Sequence, residues 1–589
     1  MERMVRRLNN AGYYDFSQKY IRYDVDTNLG GQLLNINVVI SNPLYKIDDS
    51  TVVEGKHRCF IINSVNVLYD FSQWGDFSLV DTVHYTEVIK KTNDTNHYLV
   101  IYPSDHRDYH PSALVYPIFF SPGDVYSNRS SRNTYDRYSD MRNFNFIKVS
   151  YAETEKSKEN FSQDTGYLDC KIQLMRMKKK SIGFDLLGKT SGGIFGTGGE
   201  FSYRNKNQFK AAEILSLSLK YTQELRIIDS ANVSFENFEV GGNLMLEFPR
   251  FLFPIRQQNI PKSFRPRTWA SAGVNYVERQ FYARFLTNLI FTYEWSERKQ
   301  QQRISHSLSV LDFNLVKMYK TPEFENMLDG FPKRISEKYN DHFLLGTNYR
   351  ITIADLRRYV FKARFDVYGN IFYWGMQLFG SEKNMAEDRY VVWGIPFASG
   401  AAVDLDFTYN ILQNRKSALV YHATLGIGVP TMNSSALPFE KSFYLGGSNS
   451  MRAWRLRALG PGSYRDTNVN ALMESVGDIK FETNLEFRQP IYKVLRWSLF
   501  VDAGNIWLME KHDTYPNADF AFNRFFKEIA ANVGIGLCLD FSFFVLRLDY
   551  AVKIHDPARW DNTWTFRNWH NFKQFISDGS FVFGIGYAF

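Results

Sequence analysis

Two stretches decide how this chain is read: Val533-Gly534-Ile535-Gly536-Leu537-Cys538-Leu539-Asp540-Phe541 and Phe544-Val545-Leu546-Arg547-Leu548-Asp549-Tyr550-Ala551-Val552-Lys553. In both, large apolar residues alternate with small or charged ones, the period-2 pattern of a strand with two unlike faces. Ala418 to Ile427 repeats it, with Leu419, Tyr421, Ala423, Leu425 and Ile427 on one side. A soluble β-sandwich alternates too, but its outer face carries dense Lys, Glu and Thr. Here the second face is rich in Gly and Ala and sets Arg547 two residues from Asp549. That suits a crowded polar lumen with the apolar residues turned to lipid.

Working outward, similar segments recur from about residue 181 to the end. Their starts fall near 182, 196, 213, 238, 266, 281, 302, 342, 357, 397, 417, 478, 495, 533, 543 and 580. An even number fits a closed antiparallel barrel of about 16 strands, with both ends on one side of a membrane. The long connections follow odd-numbered segments, at about 319–340, 372–396, 429–477, 509–527 and 555–579. Short turns belong on the periplasmic side of such barrels. The fold class expected is therefore an all-β transmembrane barrel preceded by α+β domains.

Composition agrees. The chain has 589 residues and a formal charge of +8, a mild bias for this length that does not argue for nucleic acid. Aromatics reach 16%, while mean hydropathy is only −0.34, as expected when strands are half apolar. No run is long and apolar enough for a transmembrane helix. Cys59, Cys170 and Cys538 have no metal-ligand spacing.

Residues 1–180 read as α+β. Met1–Ala11 has helical spacing and Gly12 stops it; Lys19–Val25 and Leu34–Ile40 alternate as strands around Gly30-Gly31. After Pro43 a second unit runs strand (Phe60–Tyr69), polar stretch, helix (Pro122–Met141), then two strands (Phe146–Tyr151 and Tyr167–Met175).

Three motifs carry a family resemblance. The stretch Phe443-Tyr444-Leu445-Gly446-Gly447-Ser448-Asn449-Ser450-Met451-Arg452-Ala453-Trp454, followed by Leu459-Gly460-Pro461-Gly462, resembles the long-loop motif of the BamA/TamA family of outer-membrane assembly proteins. Its core is Met451-Arg452-Ala453-Trp454, with Ala453 where the family has Gly. Asn484-Leu485-Glu486-Phe487-Arg488-Gln489-Pro490 and Phe500-Val501-Asp502-Ala503-Gly504-Asn505 resemble the family's partner strands. The form is most similar to the TamA-like proteins of Bacteroidota, called TamL. Phe581, Phe583, Ile585, Tyr587 and Phe589 alternate on one face and resemble the family's C-terminal β-signal.

The resemblance implies that the loop of 429–477 enters the lumen and that Arg452 pairs with Glu486 and Asp502 beside Phe500. A guanidinium in a narrow lumen is costly unless carboxylates engage it. It implies POTRA domains, residues 1–43 holding the second half of one and 44–180 another with a polar insertion. A start without an export signal is then expected to reflect a lost N-terminus, with the protein in the bacterial outer membrane and its N-terminal domains periplasmic.

It also implies a function. Clients, outer-membrane or secreted polypeptides, would enter through a weak seam between a short first strand near Ile182–Leu186 and the last strand, thinned by Gly584 and Gly586. A free strand edge is a template for β-augmentation. A TamB-like periplasm-spanning protein is a possible partner, alongside the lipid bilayer; no nucleic acid, cofactor or metal is expected. The alternative is a two-partner-secretion pore conducting through the lumen. A barrel enzyme is the third reading, and no Ser/His or Asp/His spacing singles out a pair. Asp105-His106-Arg107-Asp108-Tyr109-His110 reads as a solvated loop, and Lys178-Lys179-Lys180 as a linker or a headgroup contact. No G-x-S-x-G occurs.

Overall fold

The computed structural model describes residues 1–26, 34–46, 52–70, 80–89, 94–103, 107–159, 163–191, 194–229, 232–252, 254, 261–299, 301–329, 336–355, 358–384, 388–413, 417–464, 475–513, 515–541, 543–559, 563–565 and 579–589. Gly30-Gly31, Asp105-His106 and Gly192-Gly193 lie outside them. The chain divides into two units, one of residues 1–181 with 204–215 and 248–265, the other holding the rest.

The first unit opens with helix α1 (Glu2–Asn10) and an antiparallel pair, β1 (Ile21–Asp26) and β2 (Asn35–Ile40). A small hairpin, β3 (Leu44–Lys46) and β4 (Val52–Glu54), follows. A five-stranded sheet comes next, built from β5 (Cys59–Tyr69), β6 (Val80–Ile89), β7 (Asp94–Pro103), β8 (Phe144–Glu153) and β9 (Thr165–Arg176) in the order β6-β7-β5-β9-β8. Helices α2 (Pro111–Val115) and α3 (Asn128–Asp140) accompany it, with α4 (Glu155–Glu159) between β8 and β9. Leu114, Val115, Ile118, Tyr138 and Met141 share one buried core with Val65, Val67, Tyr98, Val100, Cys170, Ile172 and Leu174 of the sheet.

Two readings need correction here. The stretch taken as polar up to about residue 112 contains the β6–β7 hairpin, and Tyr98, Val100 and Tyr102 on alternate positions of β7 are fully buried. Their hydroxyls hid the pattern: Tyr102 Oη donates to Tyr109 O at 3.0 Å, and Tyr98 Oη lies 3.0 Å from Ser121 Oγ. The helix expected from Pro122 starts only at Asn128. Gly123 has φ +92°, and Asp124 Oδ2 accepts from the Ser121 amide at 2.7 Å, closing a turn instead of a first helical turn.

The second unit is built on one antiparallel sheet, of 16 strands among the described residues, that forms a barrel. Its first eight strands are β10 (Lys180–Ser191), β11 (Ile194–Lys206), β12 (Ile214–Asp229), β13 (Asn232–Phe248), β14 (Arg267–Arg279), β15 (Tyr282–Lys299), β16 (Gln302–Lys320) and β17 (His342–Asp355). Helix α5 (Pro322–Asp329) lies between β16 and β17. Strand β18 (Tyr359–Tyr368) leads to helix α6 (Asn370–Leu378) and a small external hairpin, β19 (Val391–Val392) and β20 (Ile395–Pro396). The barrel resumes with β21 (Gly400–Gln413), β22 (Ala418–Pro430), β23 (Ile479–Tyr492) and β24 (Leu495–Trp507). After the short helix α7 (Phe525–Glu528) it ends with β25 (Ala530–Asp540), β26 (Val545–His555) and β27 (Gly579–Ile585). From β16 onward the long connections follow alternate strands, as the spacing predicts, but the connection between β13 and β14 is long as well and lies at the other end. Among the described residues no helix is long and apolar enough to cross a membrane.

The two faces sort as the alternation demands. Arg547 and Asp549 are buried, whereas Leu546, Leu548 and Tyr550 point to the other side. The inward glycines make room for the loop between β22 and β23. A Cβ at Gly426 would lie 2.5 Å from the Phe443 ring, and one at Gly428 2.6 Å from Leu437.

Candidate functional site

Arg452 sits at the bottom of a tight turn, closed by the Trp454 amide donating to Met451 O at 3.0 Å. The turn is held by an apolar cluster of Leu445, Met451, Ala453, Trp454 and Leu459 from the loop with Phe500, Ile506, Ala530 and Ala551 from the wall. Ala453 has no left-handed backbone, so an alanine fits this turn as well as a glycine.

From that turn the guanidinium reaches three strands. Nε and Nη2 donate to the two oxygens of Asp502 at 3.0 and 2.8 Å, a bidentate fork. Nη1 donates to Glu486 Oε2 at 2.8 Å and lies 3.6 Å from Asp549 Oδ2. Its central carbon is 3.2 Å from the centre of the Phe500 ring, a cation–π contact on the remaining face. Gly504 continues the Phe500–Asp502 strand beside Glu482, where a Cβ would come 2.5 Å from Phe481 O.

The carboxylates are themselves shared. Asp502 also accepts from Asn484 Nδ2 at 3.0 Å and Asn532 Nδ2 at 2.9 Å. Glu486 Oε1 accepts from Arg488 Nε at 2.7 Å. Arg547 Nε lies 2.7 Å from Asp549, an ion contact without hydrogen-bond geometry, and its Nη2 donates to Asn449 Oδ1 of the loop at 3.0 Å. Three guanidinium groups thus face three carboxylates in a space closed to water. Burial works against the charge on Arg452, but Asp502, Glu486 and Asp549 outweigh it and its pKa is raised. Sequence reading named Arg452, Glu486, Asp502 and Phe500. It missed Asn484 and Asn532, and it saw Arg547 and Asp549 only as lumen charges, because their contacts with Arg452 and the loop come from neighbouring strands.

A second tether holds the loop's first half. Lys441 Nζ lies 2.8 Å from Asp366 and 3.3 Å from Asp312. Glu440 accepts from Arg284 at 3.1 Å and lies 3.1 Å from His342 Nε2. Burial pushes the Glu440 carboxyl up, but His342 and Arg284 win and hold it down at about 2.

The sheet ends form the other half of the site. In the hydrogen-bonded order β10 and β27 are terminal, and no residue pairing joins them among the described residues. On β10, Ile182 (72%), Phe184 (69%) and Leu186 (83%) are more open than outward residues flanked by strands on both sides, such as Leu548 (49%) and Ile535 (59%), while β27 is mixed, with Phe581 at 70% and Phe583 at 41%. The expected weakness of strand one is corrected in one respect: β10 has 12 residues, and the short member is β27 with seven.

The one-face reading of 581–589 also changes. Phe581, Phe583 and Ile585 share a face, but Gly586 adopts φ +83° and the alternation ends there. Tyr587 Oη then donates to Asp540 at 2.8 Å, and the Phe589 ring stacks on inward-facing His422 at 4.9 Å with the planes 8° apart. Arg488, bound to Glu486, also donates to Phe589 O at 3.4 Å. The tail therefore reaches the edge of the charge cluster.

Residues 399–589, which contain the loop, the partner strands and the tail, match the Omp85 superfamily domain. The fold is shared with BamA from Haemophilus ducreyi lacking POTRA domains 1–3, at 15% identity and a TM-score of 0.54, covering 94% of this chain and 89% of that one. CdiB from Acinetobacter baumannii overlaps at 12% identity with a TM-score of 0.46, covering 92% and 94%. No curated protein matches by sequence.

Proposed function

We propose that this chain is a bacterial outer-membrane assembly or translocation factor of the BamA/TamA type, most similar to TamL, that passes polypeptide clients through the seam between β10 and β27. Its first unit serves as POTRA-type domains in the periplasm, receiving clients or a TamB-like partner. The observation that carries the reading is the pair of unjoined sheet ends with the open apolar face of β10. A strand whose amides and carbonyls lack a partner pays a free-energy cost in lipid, so an incoming client strand is a favourable substitute. No nucleotide and no catalytic residue is required, because the client's own burial drives the step. The Arg452 cluster keeps the loop and the strands from β23 to β26 rigid, so that opening is confined to the ends. Conduction through the lumen, the alternative, would require the loop to leave a site where three ion pairs hold it.

The test is a lock. In a Cys59, Cys170 and Cys538→Ser background, cysteine pairs are scanned between Ile182, Phe184 or Leu186 and Phe581, Phe583 or Ile585. Oxidation of a bridging pair is expected to abolish client insertion and reduction to restore it, with the barrel folded throughout. Normal client handling by the locked protein would remove the seam from the mechanism and favour the lumen.

A further inference from the structure

Outside the barrel wall, at the long-loop end, lies a compact apolar element that the seam reading does not use. His342 and Leu344 face the loop inside the barrel, at Glu440 and Leu437, so Phe343 between them faces outward. Asp312 meets Lys441 inside, which turns Phe313 and Leu315 outward. Helix α6 packs onto this outer patch: Phe372, Tyr373 and Met376 join Phe343, Phe397 and Tyr390, with Val392 and Ile395 of the β19–β20 hairpin. The helix leaves β18 through Gly369 at φ +72°, where a Cβ would run into Ala398 and Ser399; only glycine turns the chain here.

The other face of the helix is apolar as well. Ile371 (77%), Trp374 (57%), Leu378 (83%) and the following Phe379 (85%) are exposed, and Trp393 at the hairpin tip is 92% exposed. Residues 370–379 contain no charged side chain. A helix apolar all round is buried or meets lipid, and this one is buried on one side only.

Its height is set by the strand below it. Strand β18 has ten residues; at a rise of about 3.3 Å and a tilt of about 40° it climbs roughly 23 Å along the barrel axis. That is close to the apolar band of about 25 Å in barrels of this kind. Tyr359, at the foot of β18, pairs with Tyr409, and Phe407 packs beside it, an outward aromatic group at the short-turn end. Phe365 and Val367 carry the exposed apolar surface up to the helix. Helix α6 therefore starts one apolar thickness above the lower aromatic group, at the depth where Trp and Tyr collect in membrane proteins.

We propose that α6 and the β19–β20 hairpin form an interfacial anchor, with Ile371, Trp374, Leu378, Phe379 and Trp393 inserted among the lipids of the leaflet at the long-loop end. The occupant is bilayer lipid, since the face continues the barrel's outward surface, carries no charged side chain for a folded partner, and lies at the depth of the headgroups. The anchor resists tilting of the wall around β16–β18, which stands opposite the sheet ends in strand order.

This inference rests on the chain being a membrane barrel, and the experiment separates the two. The full chain, without its own cysteines, is folded into phosphatidylcholine–phosphatidylglycerol vesicles with a nitroxide at Leu378→Cys, Trp393→Cys or, as reference, Leu548→Cys. Collision with oxygen and with a water-soluble nickel chelate is then measured. The expected result is strong shielding from nickel at all three sites, with 378 and 393 shallower than 548. Solution-like nickel access at 378 and 393 beside a shielded 548 overturns the anchor alone. Spin–spin broadening between copies at 378 assigns the face to self-association and also overturns it. A nickel-exposed 548 overturns the membrane barrel and the anchor with it.

Discussion

Strands β25 and β26 pair over ten residues, and their inward faces carry Asn532, Arg547 and Asp549 of the charge cluster. Strand β27 pairs with β26 over seven residues and, on its other side, with nothing among the described residues. One chain segment thus contains a charge-braced part of the wall and its free edge within sixty residues. The difference shows that a barrel can concentrate its cohesion. Ion pairs and a folded-in loop brace one stretch of wall, which leaves the ends free to exchange partners without loosening the whole.

The comparison breaks first at Arg452. Arg452→Ala leaves three buried carboxylates facing two guanidinium groups, and the loss is expected to approach the ~3–5 kcal/mol of a broken buried pair. Arg452→Lys should recover only part, since an ammonium cannot fork onto Asp502 while contacting Glu486. Urea unfolding of the full chain in micelles reads both; a neutral Arg452→Ala would show that the cluster is not the brace. Next is Gly426→Leu, which forces a side chain into the Phe443 ring and should cost about 1–3 kcal/mol by overpacking, with the loop displaced and protease-sensitive. A stable, protease-resistant variant would mean that the loop is not pressed to the wall there.

Phe589→Ala tests the tail that joins the loose end to the tight region. Loss of its stacking on His422 should cost about 0.5–1.5 kcal/mol, and client insertion should become faster, because β27 is no longer held from inside. Slower insertion would instead make the tail part of the client path. The smallest effect belongs to the free edge itself. Leu186→Ala on β10 should change stability by less than about 0.5 kcal/mol, although the corresponding outward change on a strand flanked on both sides, Leu537→Ala, should cost more in the same measurement. Equal effects would mean that β10 is covered.

Much of this was legible in the chain. Alternation at Val533–Phe541 and Phe544–Lys553 sets which residues face in, because successive side chains of a strand point to opposite faces whatever surrounds them. Strand starts followed within a few residues, since each is bounded by a turn or a long polar loop. Legibility failed where the signal depends on partners distant in sequence. The β6–β7 hairpin looked polar because tyrosine hydroxyls and histidines conceal a buried strand whose hydroxyls find acceptors only once folded. Helix α6 falls within the long connection read at about 372–396, because its uncharged stretch of residues 370–379 has neither a strand's alternation nor a charged face.

By itself the sequence determined the repeated two-faced strands, their number and order, the polar lumen, and the presence of an arginine and two carboxylates able to meet there. Those follow from local chemistry: side-chain alternation, turn residues, and the cost of a bare charge. Only the tertiary structure decided that Asp549, Arg547, Asn484 and Asn532 complete the cluster around Arg452, that the chain turns at Gly586 to seat Phe589 on His422, and that β10 and β27 end the sheet with no pairing between them among the described residues. Each of these depends on which strands lie side by side and how far each has slid along its neighbour. Register is a sum of many weak pairings across the whole wall, and no single segment encodes it.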